Sequence, residues 1–117
     1  MISLPPTVKI FLCTQPSDMR KSFDGLKTLV EQHLECDPLS GHLFVFRNRR
    51  SDRLKILYWD RDGLAIWYKR LEAGTFRFPA AAERHTSLEV KPADLAMLLD
   101  GVDLASVRRS KRYQHPA

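Results

Sequence analysis

The sequence predicts an α+β fold: a small antiparallel β-meander sheet, with an N-terminal amphipathic helix and a C-terminal helix packed on one of its faces. Three observations carry this. Met19, Phe23, Leu26, Val30 and Leu34 recur at steps of 4, 3, 4 and 4, which is one stripe of a helix. Three apolar, aromatic runs then follow one another: "HLFVF" (42–46), "LKILYW" (54–59) and "LAIWYKR" (64–70). A second helical pattern comes only after them. Helices that flank a block of strands, rather than alternate with it, define an α+β chain.

Each element has its own signals. "TVKIFLC" (7–13) follows Pro5-Pro6 and reads as a first strand. "TQPSD" supplies turn residues, with Ser17 or Asp18 as the cap of the first helix, which runs to about Cys36. Gly25 lies inside that helix, where it lowers helix propensity and permits close packing on the sheet. "DPLSG" (37–41) is a loop. The second and third apolar runs are joined by "DRDG" (60–63), a strong hairpin signal. A short fourth strand is expected at "TFRF" (75–78), closed by Pro79, followed by a loop over 80–86 and an extended "SLEV" at 87–90. "KPADLAMLLDGVD" reads as a helix with Pro92 in its first turn and Gly101 at its end. Residues 1–106 form a single α+β domain, and 107–117 a flexible basic C-terminal tail.

Length and composition agree. A chain of 117 residues holds one compact domain with a real core. With 44% hydrophobic and 28% charged residues it falls in the globular range. No signal peptide or membrane span is visible, so a cytoplasmic location is expected. Cys13 and Cys36 are too few for a disulfide framework and are read as reduced and buried.

The placement of charge is more informative than its total. The net charge is +5, but residues 47–53 carry +3 and "RRSKR" (108–112) carries +4, leaving −2 for the other 105 residues. Two short basic segments on an otherwise acidic body are the footprint of a nucleic-acid binder. Arginine suits phosphate because it stays charged and presents a planar fork of donors. The candidate DNA contacts are therefore Arg47, Arg49, Arg50 and Arg53, with Lys55 beside them. Arg20 and Lys21 join them, because positive charge in a helix's first turn opposes the helix dipole and implies another use. An ion pair of Arg20 with Asp18 or Asp24 would explain them equally well. In the tail, Arg108, Arg109, Lys111 and Arg112 could track a phosphate backbone, and Tyr113 could stack on a base. Of the neighbouring pairs Tyr58–Trp59 and Trp67–Tyr68, one aromatic each should leave the core unless both sheet faces are covered.

Enzyme chemistry finds little support. Asp60 and Asp62 are explained by their turn. His33, Cys36 and His42 have no metal-ligand spacing, and no phosphate loop, nucleophile motif or cofactor signature is present. No catalysis, metal or cofactor is expected.

"DMRKSFDGL", "GHLFVFRNRRSDRLKILYWDRDGLAIWYKRLEAGTFRFP" and "DLAMLLDGVD" together resemble the TnpB-type accessory proteins of bacterial insertion sequences, in the group numbered sixty-six. The resemblance covers about residues 8–104. It implies a non-catalytic accessory protein of DNA transposition, encoded beside a separate, larger transposase. The RNA-guided nuclease that shares the TnpB name is a much larger, different protein. What the resemblance leaves open is whether the arginine-rich surfaces bind DNA directly, at element ends or elsewhere, or whether the chain is a protein–protein adaptor of the transposition complex. An RNA-binding regulator is a third class, but no RNA-binding module is recognisable.

Overall fold

The computed structural model describes residues 6–79, 85–103 and 108–109. Its centre is a five-stranded sheet built from β1 (Ile10–Cys13), β2 (Leu43–Arg47), β3 (Arg53–Asp60), β4 (Gly63–Arg70) and β5 (Ser87–Val90), in the order β4-β3-β2-β1-β5. The pairs β2–β3 and β3–β4 are antiparallel neighbours in the chain, and Asp60 faces Gly63 across the tight turn. The sheet is nevertheless mixed, not antiparallel throughout. β1 lies parallel to β2 (Ile10 opposite Leu43) and antiparallel to β5 (Ile10 opposite Val90). A parallel neighbour requires a crossover connection, and the first helix supplies it.

That helix is shorter than its apolar stripe predicts. α1 covers Phe23–Thr28 and continues as a π-helical turn over Leu29–His33. Leu26, Val30 and Leu34 of the stripe are buried, but Phe23 is 46% exposed. Residues 18–21 stay outside the helix because their backbone is otherwise engaged. The carbonyls of Met19 and Lys21 accept from the Lys55 ammonium, and the Arg20 N–H donates to the Asp18 carboxylate. With Lys55 as a partner, those carbonyls are satisfied without a helical i+4 N–H. The cap is Ser22, not Ser17 or Asp18. A Cβ at Gly25 would lie 3.1 Å from Lys21, so this glycine makes room for the preceding loop and not for the sheet.

The second helix, α2 (Pro92–Asp100), starts on Pro92. Asp94 accepts from the Lys91 N–H, and Gly101 closes the helix at φ 88°, where a side chain would be strained. The two helices do not share a face. Leu95 and Leu98 of α2 pack with Ile10, Leu12, Leu43, Val45, Leu54 and Ile56, while Leu26 and Val30 pack with Cys13, Phe44, Phe46 and Leu57. Neighbouring residues of each strand fall into opposite clusters, as a period of two demands. The sheet is thus covered on both sides, which corrects the one-face expectation. It also accounts for the aromatics. Tyr58 and Trp67 pack on the α2 side, Trp59 is half-buried, and Tyr68 is exposed.

Residues 75–78 form no strand; Phe76 plugs the α2-side core and its N–H donates to the Ser51 carbonyl. Beyond α2, β6 (Val102–Asp103) pairs with β7 (Arg108–Arg109), so the first two tail arginines lie in a short ladder. The rest of the tail falls outside the described residues. Cys13 is buried, Cys36 half-buried, and both thiols are free.

Phe44 is fully buried in the middle of the sheet, so Phe44→Ala should destabilise the fold by about 3–5 kcal/mol, read from the urea midpoint. Phe23→Ala, on the predicted helix stripe but exposed, should change it by less than about 0.5 kcal/mol.

Candidate nucleic-acid interface

The arginine-rich link between β2 and β3 is a folded turn. The Asn48 side-chain oxygen accepts from the N–H groups of Asp52 (3.1 Å) and Arg53 (3.0 Å), and its amide donates to the Asp52 carboxylate at 2.6 Å. The Ser51 N–H donates to the Asn48 carbonyl, and Ser51 sits at φ 56°. From outside, the N–H groups of Leu71 and Phe76 each reach a loop carbonyl, of Asp52 and Ser51, at 2.7 Å. An asparagine that bonds its own following backbone is the usual device for fixing such a turn. Asn48 was not singled out among the charged residues, although the pair Asn48/Asp52 around the arginines is a readable turn signal. Arg49 and Arg50 sit in this turn and are exposed.

The structure divides the predicted basic residues into two groups. Two of them are architectural. Lys55 is only 7% exposed; its Nζ donates to the carbonyls of Met19 (2.8 Å) and Lys21 (2.7 Å) and lies 4.7 Å from the Tyr68 ring centroid. Arg47 donates to the Thr14 carbonyl (2.8 Å) and the Ser51 hydroxyl (3.2 Å), with its guanidinium 4.9 Å from the Phe78 ring centroid. Burial pushes the Arg47 guanidinium down from its ordinary pKa, and its Nε has no partner among the described residues. Neither side chain can reach an outside anion without vacating these bonds.

The second group is brought together. The Ser17 N–H donates to the Arg47 carbonyl at 2.8 Å, and with the Lys55 bonds this seats residues 17–21 beside the 48–53 turn. A cleft of about 320 Å³ results, lined by Asp18, Met19, Arg20, Asn48, Arg50, Asp52 and Arg53. Arg20 and Lys21 therefore precede the helix instead of opposing its dipole, and they meet the arginine turn in space. Arg20 holds both carboxylate oxygens of Asp18, with its terminal nitrogen at 2.7 Å, so the ion-pair reading of this residue is what the structure contains. The pair is exposed and readily exchanged. Arg53 is half-buried, with a terminal nitrogen 3.4 Å from the Tyr68 hydroxyl. Of Arg108 and Arg109 only the backbone is described, and Lys111 and Arg112 lie outside the described residues. Among the described residues, no three His, Cys, Asp or Glu side chains converge as a metal-binding set, and no helix is long and apolar enough to cross a membrane.

A family model described as "IS66 Orf2 like protein" matches residues 8–109, a span that runs from ahead of β1 through β7. Two proteins of Sinorhizobium fredii are similar over nearly their whole length. Uncharacterized protein y4jC is 38% identical over 109 residues, covering 93% of this chain and 92% of its own. Uncharacterized protein y4hO is 36% identical over 103 residues, covering 88% of each. No solved structure matches.

Two measurements test the site's architecture. Lys55→Met keeps the side-chain length but takes the ammonium away from the part-buried Met19 and Lys21 carbonyls, and should cost about 1–3 kcal/mol in urea unfolding. Hydrogen bonds from Arg20 hold the Asp18 carboxyl at a pKa of about 2. A depressed carboxyl pKa means that the pair's contribution is present at neutral pH and is lost as pH falls from the ordinary carboxylate range through about 2. In a carbon-13 titration, Arg20→Ala should move the Asp18 midpoint up towards 3.8.

Proposed function

Because the chain belongs to the IS66 Orf2-like family of insertion-sequence proteins, we propose that it is a non-enzymatic accessory protein of transposition that holds DNA by its phosphates. It acts in the cytoplasm alongside a separate transposase. The observation that supports DNA contact is the convergence of two basic segments far apart in sequence: Arg20, Arg50 and Arg53 line one cleft, and the exposed Arg49 and Lys21 adjoin it in the chain. The turn bearing Arg49 and Arg50 is held by Asn48, so these side chains are presented from a fixed backbone. Pre-arranged arginines lose less entropy on meeting phosphate than arginines on a loose loop. Adjacent arginines suit a backbone better than a base code.

The competing reading is an adaptor that binds protein and not DNA. Exposed Phe23 (46%) and Tyr68 (47%) favour it, since aromatic residues are enriched in protein interfaces. Salt dependence separates the two readings. A mobility-shift titration with element-end and random duplexes, with and without the transposase, should show salt-sensitive binding by this protein alone. Each phosphate contact adds about 0.9 to the slope of log affinity against log salt. The double substitution Arg49→Ala/Arg50→Ala should flatten that slope by roughly 1.8 on both duplexes, with stability changed by no more than about 0.5 kcal/mol per residue. Absence of binding without the transposase would favour the adaptor.

A further inference from the structure

The outer edge of β4 is an open backbone ladder. β4 ends the strand order, and its register with β3 is unbroken from Arg53 opposite Arg70 to Asp60 opposite Gly63, with no bulge to twist the edge away. The direction of its free groups follows from bonds on the far side of β3. The Arg53 carbonyl accepts from Asn48 N–H, and the Arg53 N–H donates to the Asn48 side chain, so both backbone groups of Arg53 point towards β2. Arg53 and Arg70 therefore face each other without exchanging bonds, while the next pair does bond, Leu71 N–H to the Asp52 carbonyl. Alternation then turns the N–H and C=O groups of Leu64, Ile66, Tyr68 and Arg70 outwards. Among the described residues nothing is bonded to them.

Monomeric proteins blunt such an edge with proline, charge or a bulge. The stretch Leu64–Trp67 has none of these, and all four residues are only half-buried. Charge is confined to the two ends: Lys69 and Arg70 at one, where Arg70 holds the exposed Glu72 carboxylate at 3.1 Å, and Asp60, Arg61 and Asp62 at the other. With Glu72 counted, the first end is net positive and the second net negative, each by the margin of a single charge. An antiparallel copy of the same strand reverses that polarity. We propose that β4 pairs with β4 of a second copy of this chain, about a two-fold axis through Ile66.

Register selects this axis. Outward groups must meet outward groups, so the axis passes through a residue and not between two. Centred on Ile66, the pairing sets Arg70 opposite Asp62 of the second copy and Tyr68 opposite Leu64. Centred on Trp67, it would set Glu72 opposite Asp62 with no opposite-charge pair in return. Centred on Ile66, Glu72 falls opposite Asp60, which lies on β3 beyond the turn, and the Arg70–Asp62 pairs offset it. The result joins two five-stranded sheets into one, with corresponding faces on the same side. Arg53 and Tyr68, which lie on the α1 side, are then doubled across the axis.

Sedimentation equilibrium on the full chain, over a dilution series, tests this. The wild-type protein should show a reversible doubling of mass. Arg70→Glu and Asp62→Lys should each raise the dissociation constant on the order of tenfold, because two-fold symmetry loses every contact twice. The double variant Arg70→Glu/Asp62→Lys should restore wild-type association. Circular dichroism checks that each variant is folded. A wild-type protein that stays monomeric throughout overturns the proposal, as does a dimer indifferent to both single reversals. A dimer weakened by each reversal but not rescued by the double variant overturns the Ile66 register.

Discussion

The Lys55 ammonium is the contact on which the rest of the arrangement depends. It projects from β3 towards the α1 side, and its nearest partners are backbone carbonyls, not a carboxylate. A buried charge needs its donors filled, and here two carbonyl dipoles and the Tyr68 ring do so. The consequences run outwards. By engaging the Met19 and Lys21 carbonyls, the ammonium delays the start of the helix to Phe23. That leaves residues 18–21 as a short strap across the sheet end, beside the arginine turn. The cleft exists because this strap and the turn are held on the same strands.

Arg47 plays the matching part on the neighbouring strand. It binds the Thr14 carbonyl after β1 and the Ser51 hydroxyl inside the turn, and the Thr14 hydroxyl in turn donates to the His85 carbonyl ahead of β5. Four cations in seven residues thus do different work. Arg47 ties three segments together, Arg49 and Arg50 face solvent, and Arg53 stands beside an exposed tyrosine. A linear count of charge cannot make this division. What decides it is the depth of each side chain below the surface and the number of carbonyls within reach.

Much of the fold was legible. The strand runs 42–46, 54–59 and 64–70 differ from β2, β3 and β4 by a residue or so at each end, because a turn or charge cluster bounds each run. The C-terminal helix was marked by Pro92 and Gly101. The parallel seat of β1 beside β2 was not legible, since pairing between distant segments leaves no local periodicity. The two-sided covering of the sheet does leave a signal: "LFVF" (43–46) does not alternate with polar residues, and continuous apolar runs belong to strands buried on both faces. At the site, the arginine turn and Arg20–Lys21 were visible as separate charges. Their meeting depended on Lys55 bonding to main-chain carbonyls, which side-chain identities do not report.

The central seat of β1 has a consequence for the order in which the molecule can be made. β1 is completed by residue 13, but its neighbours arrive much later: β2 with Leu43 and β5 only with Val90. The hairpins linking β2, β3 and β4 close over short loops, whereas β1–β5 closes over most of the chain, which is the slow kind of contact. On the ribosome, the apolar strand Ile10–Cys13 therefore waits with one side unpaired until nearly the whole protein has emerged. A chain cut short before Ser87 would keep that side bare, in the form most prone to pair with a stranger.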